Sequence, residues 1–158
     1  MKEIKDNQKI KGKLHIVLRG ENGNIKQEQF IDNTITNLFD AHVADRMSES
    51  GDTAIGFMSI GSGTGQTSAS TDLSNHISTL ALSGTSPIQG TGGADNDAVY
   101  SGFWAAGVGT NSSIAEAGIF QASGTTRTTL MTYNDGLSIN KGASDTLKID
   151  WTLTFGAS

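Results

Sequence analysis

Few side chains in this chain have the type and spacing that chemistry requires. The run Gly61-Ser62-Gly63-Thr64-Gly65 follows an apolar stretch, the setting of a phosphate-binding loop. Such a loop needs a Gly-Lys-Ser/Thr end so that a lysine reaches the phosphates, and no lysine occurs between Ile55 and Asn140. A dinucleotide fingerprint needs a strongly apolar helix next, which residues 66–71 (QTSAST) do not supply, so the run reads as a turn between strands. His15, His42 and His76 fall on separate segments, whereas a metal site gathers three or four ligands. Asp95-Asn96-Asp97 has a superficial calcium-loop look but lacks the glycine and later glutamate of an EF-hand. Glu116 stands inside the apolar run 114–120 (IAEAGIF), either as a buried functional carboxylate with a raised pKa or, the preferred reading, as a structural carboxylate paired at a strand start. Arg127 is a candidate partner for it. There is no Gly-x-Ser-x-Gly elbow, and no nucleophile, base and oxyanion site assemble. The chain is expected to need no cofactor and no metal.

The elements that would position these residues are mostly strands. In residues 146–155 (TLKIDWTLTF), Leu147, Ile149, Trp151, Leu153 and Phe155 alternate with polar residues. That period of two is what a half-buried strand requires. Residues 13–19 put Leu14, Ile16 and Leu18 on one face, and Asn22-Gly23 ahead of residues 25–31 is a hairpin signal. Thr36 is a helix N-cap candidate. Leu38, Phe39, His42, Val43 and Met47 then keep helical spacing on one face, with Asp40 early and Arg46 late, as the helix dipole favours. Further strands are expected at 56–60, 77–82, 98–106, 114–120 and 128–133, and a helical turn at 72–77. Asn134-Asp135-Gly136 is a turn signal. Residues 83–97 (SGTSPIQGTGGADND) carry four glycines and the chain's single proline, and read as a long loop. Short strands at close spacing with turn signals predict a mainly β fold, an antiparallel β-sandwich, jelly-roll-like, of about eight strands with one amphipathic helix.

The chain has 158 residues, so one domain is expected: a flexible arm over 1–12 and a sandwich over 13–158. Only 17% of residues are charged, against about a quarter in an average domain, so the surface is polar through hydroxyls and amides, as suits large areas facing other subunits or, equally, an ordinary all-β domain with many turns. A net charge of −5, with basic residues clustered only near the N-terminus, predicts no nucleic-acid partner. The absence of cysteine excludes disulfides, thiolate zinc sites and a cysteine nucleophile. No run approaches the roughly 20 apolar residues of a membrane span, and the stretch 14–18 is too short for a signal peptide. Folding in the cytoplasm and no membrane partner are the expectations.

Three segments in order carry a resemblance: IGSGTGQTSASTDL at 60–73, EAGIF at 116–120 and NKGASDTLKIDWTLTF at 140–155. With the N-terminal hairpin and helix, they resemble a group of small tailed-bacteriophage virion proteins, and residues 83–97 are an insertion unmatched in that pattern. The resemblance implies a non-enzymatic structural subunit of the virion that decorates or cements the capsid by repeated contacts with other virion proteins, as a homo-oligomer with a trimer expected. Glu116 would be architectural. Partner contacts are expected from Lys2, Ile4, Lys5 and Ile10 on the arm and from Ser86, Pro87, Ile88 and Gln89 on the loop. The alternative is a tail or tail-tip component that binds a receptor through 83–97, with Tyr100, Phe103 or Trp104 stacking on a sugar. A polysaccharide hydrolase is the third class; it needs a second carboxylate facing Glu116 across a cleft.

Overall fold

A computed structural model describes residues 9–48, 54–82, 88–89, 96–121 and 129–156, with backbone alone at 88–89. The alternating C-terminal segment is the centre of the first sheet. Strand β1 (Lys11–Arg19) turns through Gly23, whose φ of 82° suits glycine, into β2 (Ile25–Asp32). The last strand, β12 (Thr146–Thr154), pairs along its length with β1 on one side and with β7 (Asp97–Trp104) on the other. β7 in turn carries the two-residue β6 (Ile88–Gln89), giving the order β2-β1-β12-β7-β6.

The second sheet runs β3 (Thr34–Ile35), β10 (Leu130–Asn134), β9 (Glu116–Phe120), β4 (Phe57–Gly61), β5 (His76–Ala81). All pairings among the described strands are antiparallel. The two sheets face each other. Leu14, Ile16, Leu147, Ile149, Trp151 and Trp104 from the first share one core with Met58, Ile60, Ala117, Ile119 and Met131 from the second. The expected β-sandwich is therefore the architecture, with each large side chain in this layer contributing on the order of 1.5–3 kcal/mol. A small annex, β8 (Asn111–Ile114) with β11 (Ile139–Lys141), flanks it.

The helix α1 (Asn37–Met47) is capped by Thr36, whose Oγ1 accepts from Phe39 N at 3.4 Å. The same buried hydroxyl lies within hydrogen-bond distance of the Leu130 and Met131 carbonyls, tying the cap to β10. Phe39 and His42 are buried, but Met47 is 82% exposed and leaves the expected apolar face, because the whole last turn, residues 44–48, is exposed. No described helix is long and apolar enough to cross a membrane.

Several boundaries differ from the expectation. β1 begins at Lys11, so the last two residues assigned to the arm belong to the sheet. The run 114–120 is two strands, because at Ala115 the chain changes sheets: Ala115 N bonds Gly61 O while Leu137 N bonds Ala115 O. Residues 72–75 are irregular rather than helical, and β5 starts at His76. Within 83–97, Ile88–Gln89 is strand and Asp97 opens β7. The strands β3, β8 and β11 carry too few apolar residues to register as periodic.

Candidate functional site

Glu116 lies at the start of β9 with its side chain on the outward face of the second sheet, and it is fully buried. What buries it is the Gly-rich segment, which folds back over that face instead of standing away from it. Glu116 Oε1 accepts from Gly63 N at 2.9 Å and Asn75 N at 2.7 Å. Oε2 accepts from Ser74 N at 3.0 Å and from Gln66 Nε2. Four donors converge on one carboxylate, the arrangement that best compensates a buried anion without a cation.

The neighbouring glycines make this approach possible. A Cβ on Gly63 would lie 2.7 Å from Asn75 N and 2.8 Å from Glu116 Oε1, and one on Gly61 would lie 2.6 Å from Asn75 O. Farther along, Asp135 Oδ2 accepts from Gly65 N at 2.9 Å and Gln66 N at 3.2 Å. The amides that a phosphate would use at Gly63, Gly65 and Gln66 are thus already held by the chain's own carboxylates.

The segment also carries an apolar plug. Leu73 joins Phe120, Leu130 and Tyr133 in a second small core on the outward face. Gly118 admits it, since a Cβ there would stand 3.2 Å from Leu73 Cδ2. Two of the three sequence motifs therefore lock onto each other in space. The third makes its own turn. Gly142 N donates to Asp145 Oδ2 at 2.8 Å, and Lys26 Nζ reaches the same oxygen at 2.7 Å. The Lys26 bond first, and the Gly142 N–H second, hold the Asp145 carboxyl below the usual carboxylate range. Lys141, fully buried, donates to Ala105 O at 3.0 Å. Burial pulls its ammonium below the usual lysine value, against the opposing pull of Asp145.

The other chemically capable residues do not converge. His15 bonds Glu28 Oε1 at 2.7 Å on the outer side of the first sheet, His42 is packed under α1, and His76 bonds Thr79 Oγ1 at 2.7 Å on β5. Thr79 in turn contacts Ser59, which is sealed from solvent. No group of three His, Cys, Asp or Glu able to hold a metal occurs among the described residues. Asp97 accepts from Thr154 Oγ1 at 2.6 Å within the first sheet.

A groove of about 270 Å3 runs beside α1, lined by Phe39, Val43, Ile55, Tyr100 and Phe155, with Met47 at its rim. Burial pushes the Tyr100 phenol up. Trp104 is fully buried, its indole N–H 3.3 Å from Ser78 Oγ, and Tyr100 is 7% exposed, so of the three aromatics considered for sugar stacking only Phe103, at 56%, faces solvent.

Of the expected contact residues, Ile10 packs against the main core, while Ile88 and Gln89 form β6 against Val99 and Ala98. Lys2, Ile4, Lys5, Ser86 and Pro87 lie outside the described residues, as does Arg127, the partner considered for Glu116. The partners Glu116 does have are backbone amides, which residue identity does not announce. Asp135 and Asp145 escaped notice for a related reason: each looked like an ordinary turn aspartate.

Compared with known proteins, the chain matches no family profile, no curated protein and no solved structure.

Proposed function

We propose that the chain is a non-enzymatic structural subunit of a tailed-phage virion, decorating or cementing the capsid through repeated protein–protein contacts. The observation that carries this reading is how the buried ionisable groups are used. Glu116 holds the Gly-rich flap, Asp145 holds the turn before β12, and Lys141 holds the Ala105 carbonyl. Each is spent on stiffening a connection rather than facing a cleft. These groups sit in two of the three motifs that resemble phage virion proteins, 116–120 and 140–155, and Glu116 holds the third, 60–73, so the resemblance follows the residues that make the shell rigid. A rigid shell with a hydroxyl-rich exterior suits a part present in many copies, where contacts are set by shape and pre-organisation. Association into a homo-oligomer, with a trimer expected, belongs to the same reading.

The test is stoichiometry. Quantitative mass spectrometry of gradient-purified particles is expected to find the chain in many copies per particle. Its absence from purified particles refutes the assignment.

A further inference from the structure

The two sheets differ in what covers their outward faces. The second sheet is closed by its own flap, whereas on the first sheet Phe30 and Phe103 are 63% and 56% exposed. Register gives this face as rows across four strands. One row reads Phe30, His15, Asp150, Ser101; the next reads Glu28, Val17, Lys148, Phe103; and another reads Asp32, Lys13, Thr152, Val99.

We infer that this face is a homotypic docking surface that packs onto the same face of a second copy about a two-fold axis running along the strands between β1 and β12. Such an axis lays each row over itself reversed. Phe30 then faces Ser101 of the second copy, a large ring over a small hydroxyl, and His15 faces Asp150, a base over an acid, each contact occurring twice as an isologous interface requires. The charges are prepared for burial. His15 is paired to Glu28 at 2.7 Å, Lys148 to Asp150 at 2.8 Å, and Ser101 donates to Asp150 at 2.6 Å. Both signs of charge lie on the face, so like faces do not repel as a one-signed surface would. The same axis sets Glu28 over Phe103, Lys148 over Val17 and Asp32 over Val99, with Glu28 and Lys148 already paired within their own copy. Phe30 is held ready as an anchor, stacked on the His15 ring at 4.3 Å with the planes 3° apart, and Lys13 Nζ lies 5.8 Å from its centroid.

Area decides the strength. Four strands at about 4.8 Å and a β1 of about 27 Å give a little over 500 Å2 per copy, about 1,000 Å2 for the pair. That is the lower limit for a specific interface, so a single contact is weak and gains from many copies held together. A two-fold contact does not build the expected trimer, which needs a separate head-to-tail interface. The inference rests on the proposed function for its purpose, but its test does not: purified protein reports on the face whether or not particles contain the chain.

Because the chain has no cysteine, single thiols can be placed cleanly at exposed Phe30 and half-exposed Ser101. Phe30→Cys and Ser101→Cys, each first shown to keep the native tryptophan fluorescence, are treated with a short bismaleimide separately and mixed. The expected result is cross-linked dimer in the mixture, several-fold above either variant alone, because the axis sets Phe30 against Ser101 and keeps the two copies of Phe30 at opposite edges. Equal yields in all three samples, or none in the mixture, overturn the inference. Sedimentation of the wild-type chain is the second measurement: weight-average mass rising with concentration is expected, and Phe30→Asp should abolish the rise. A wild-type monomer at every concentration, or a Phe30→Asp variant that associates as wild type does, overturns it equally.

Discussion

Replacing Glu116 by Gln keeps the shape of the side chain and changes only what it can accept. Each carboxylate oxygen now takes two donors: Gly63 N and Asn75 N on Oε1, Ser74 N and Gln66 Nε2 on Oε2. An amide has one oxygen, so in either orientation two of the four donors meet an NH2 group. An orphaned buried donor costs about 1–3 kcal/mol. Ser74 and Asn75 are exposed residues, so water can relieve part of the loss, and the lower half of that range applies to each. The expected destabilisation is about 2–4 kcal/mol, a fall in Tm of roughly 4–16 °C for a chain of this size. Glu116→Ala, which orphans all four donors, should cost about 3–5 kcal/mol. Urea unfolding followed by the fluorescence of buried Trp104 and Trp151 measures the loss. Amide exchange at Gly63, Ser74 and Asn75 locates it: their protection should fall first, since the flap opens before the main core. If Glu116→Gln lies within about 0.5 kcal/mol of wild type with these amides still protected, the carboxylate does not hold the flap and the reasoning is refuted.

Gly63→Ala should also open the flap, because the new methyl group meets Asn75 N and Glu116; a loss of about 1–3 kcal/mol in urea unfolding is expected. Leu73→Ala removes the plug of the outer cluster, and calorimetry should show a loss of about 2–3 kcal/mol with the main core intact. Asp145 has its pKa held below the ordinary 3.8, so its stabilising contribution is complete above that value and is lost as pH falls through the lower, folded-state value. Asp145→Asn should therefore flatten the acid limb of the stability–pH curve below about pH 4, a change that an unaltered acid limb would contradict.

Much of the main core was legible because burial on one face imposes a period of two. The alternation of Leu147, Ile149, Trp151 and Leu153 had only one geometric solution, and the Asn22-Gly23 turn and the Thr36 cap were equally local signals. The flap was not legible. Its hold on the sheet depends on backbone amides of Gly63, Ser74 and Asn75 meeting a side chain more than forty residues away, and amides carry no residue identity. Glu116 was visible as an oddity, an acid within an apolar run, but whether it faced a cleft or a covering loop depended on where residues 61–75 went. The division of 114–120 into β8 and β9 was hidden for the opposite reason: the apolar pattern continues through Ala115 although the chain crosses from one sheet to another there.

The central claim is that this rigid, self-locked sandwich serves as a repeated part of a phage particle. Immunogold electron microscopy of purified particles with antibody raised to the chain tests it most directly. The account predicts label spread over the capsid surface. Particles that carry no label, with the same antibody binding the free protein, would contradict it.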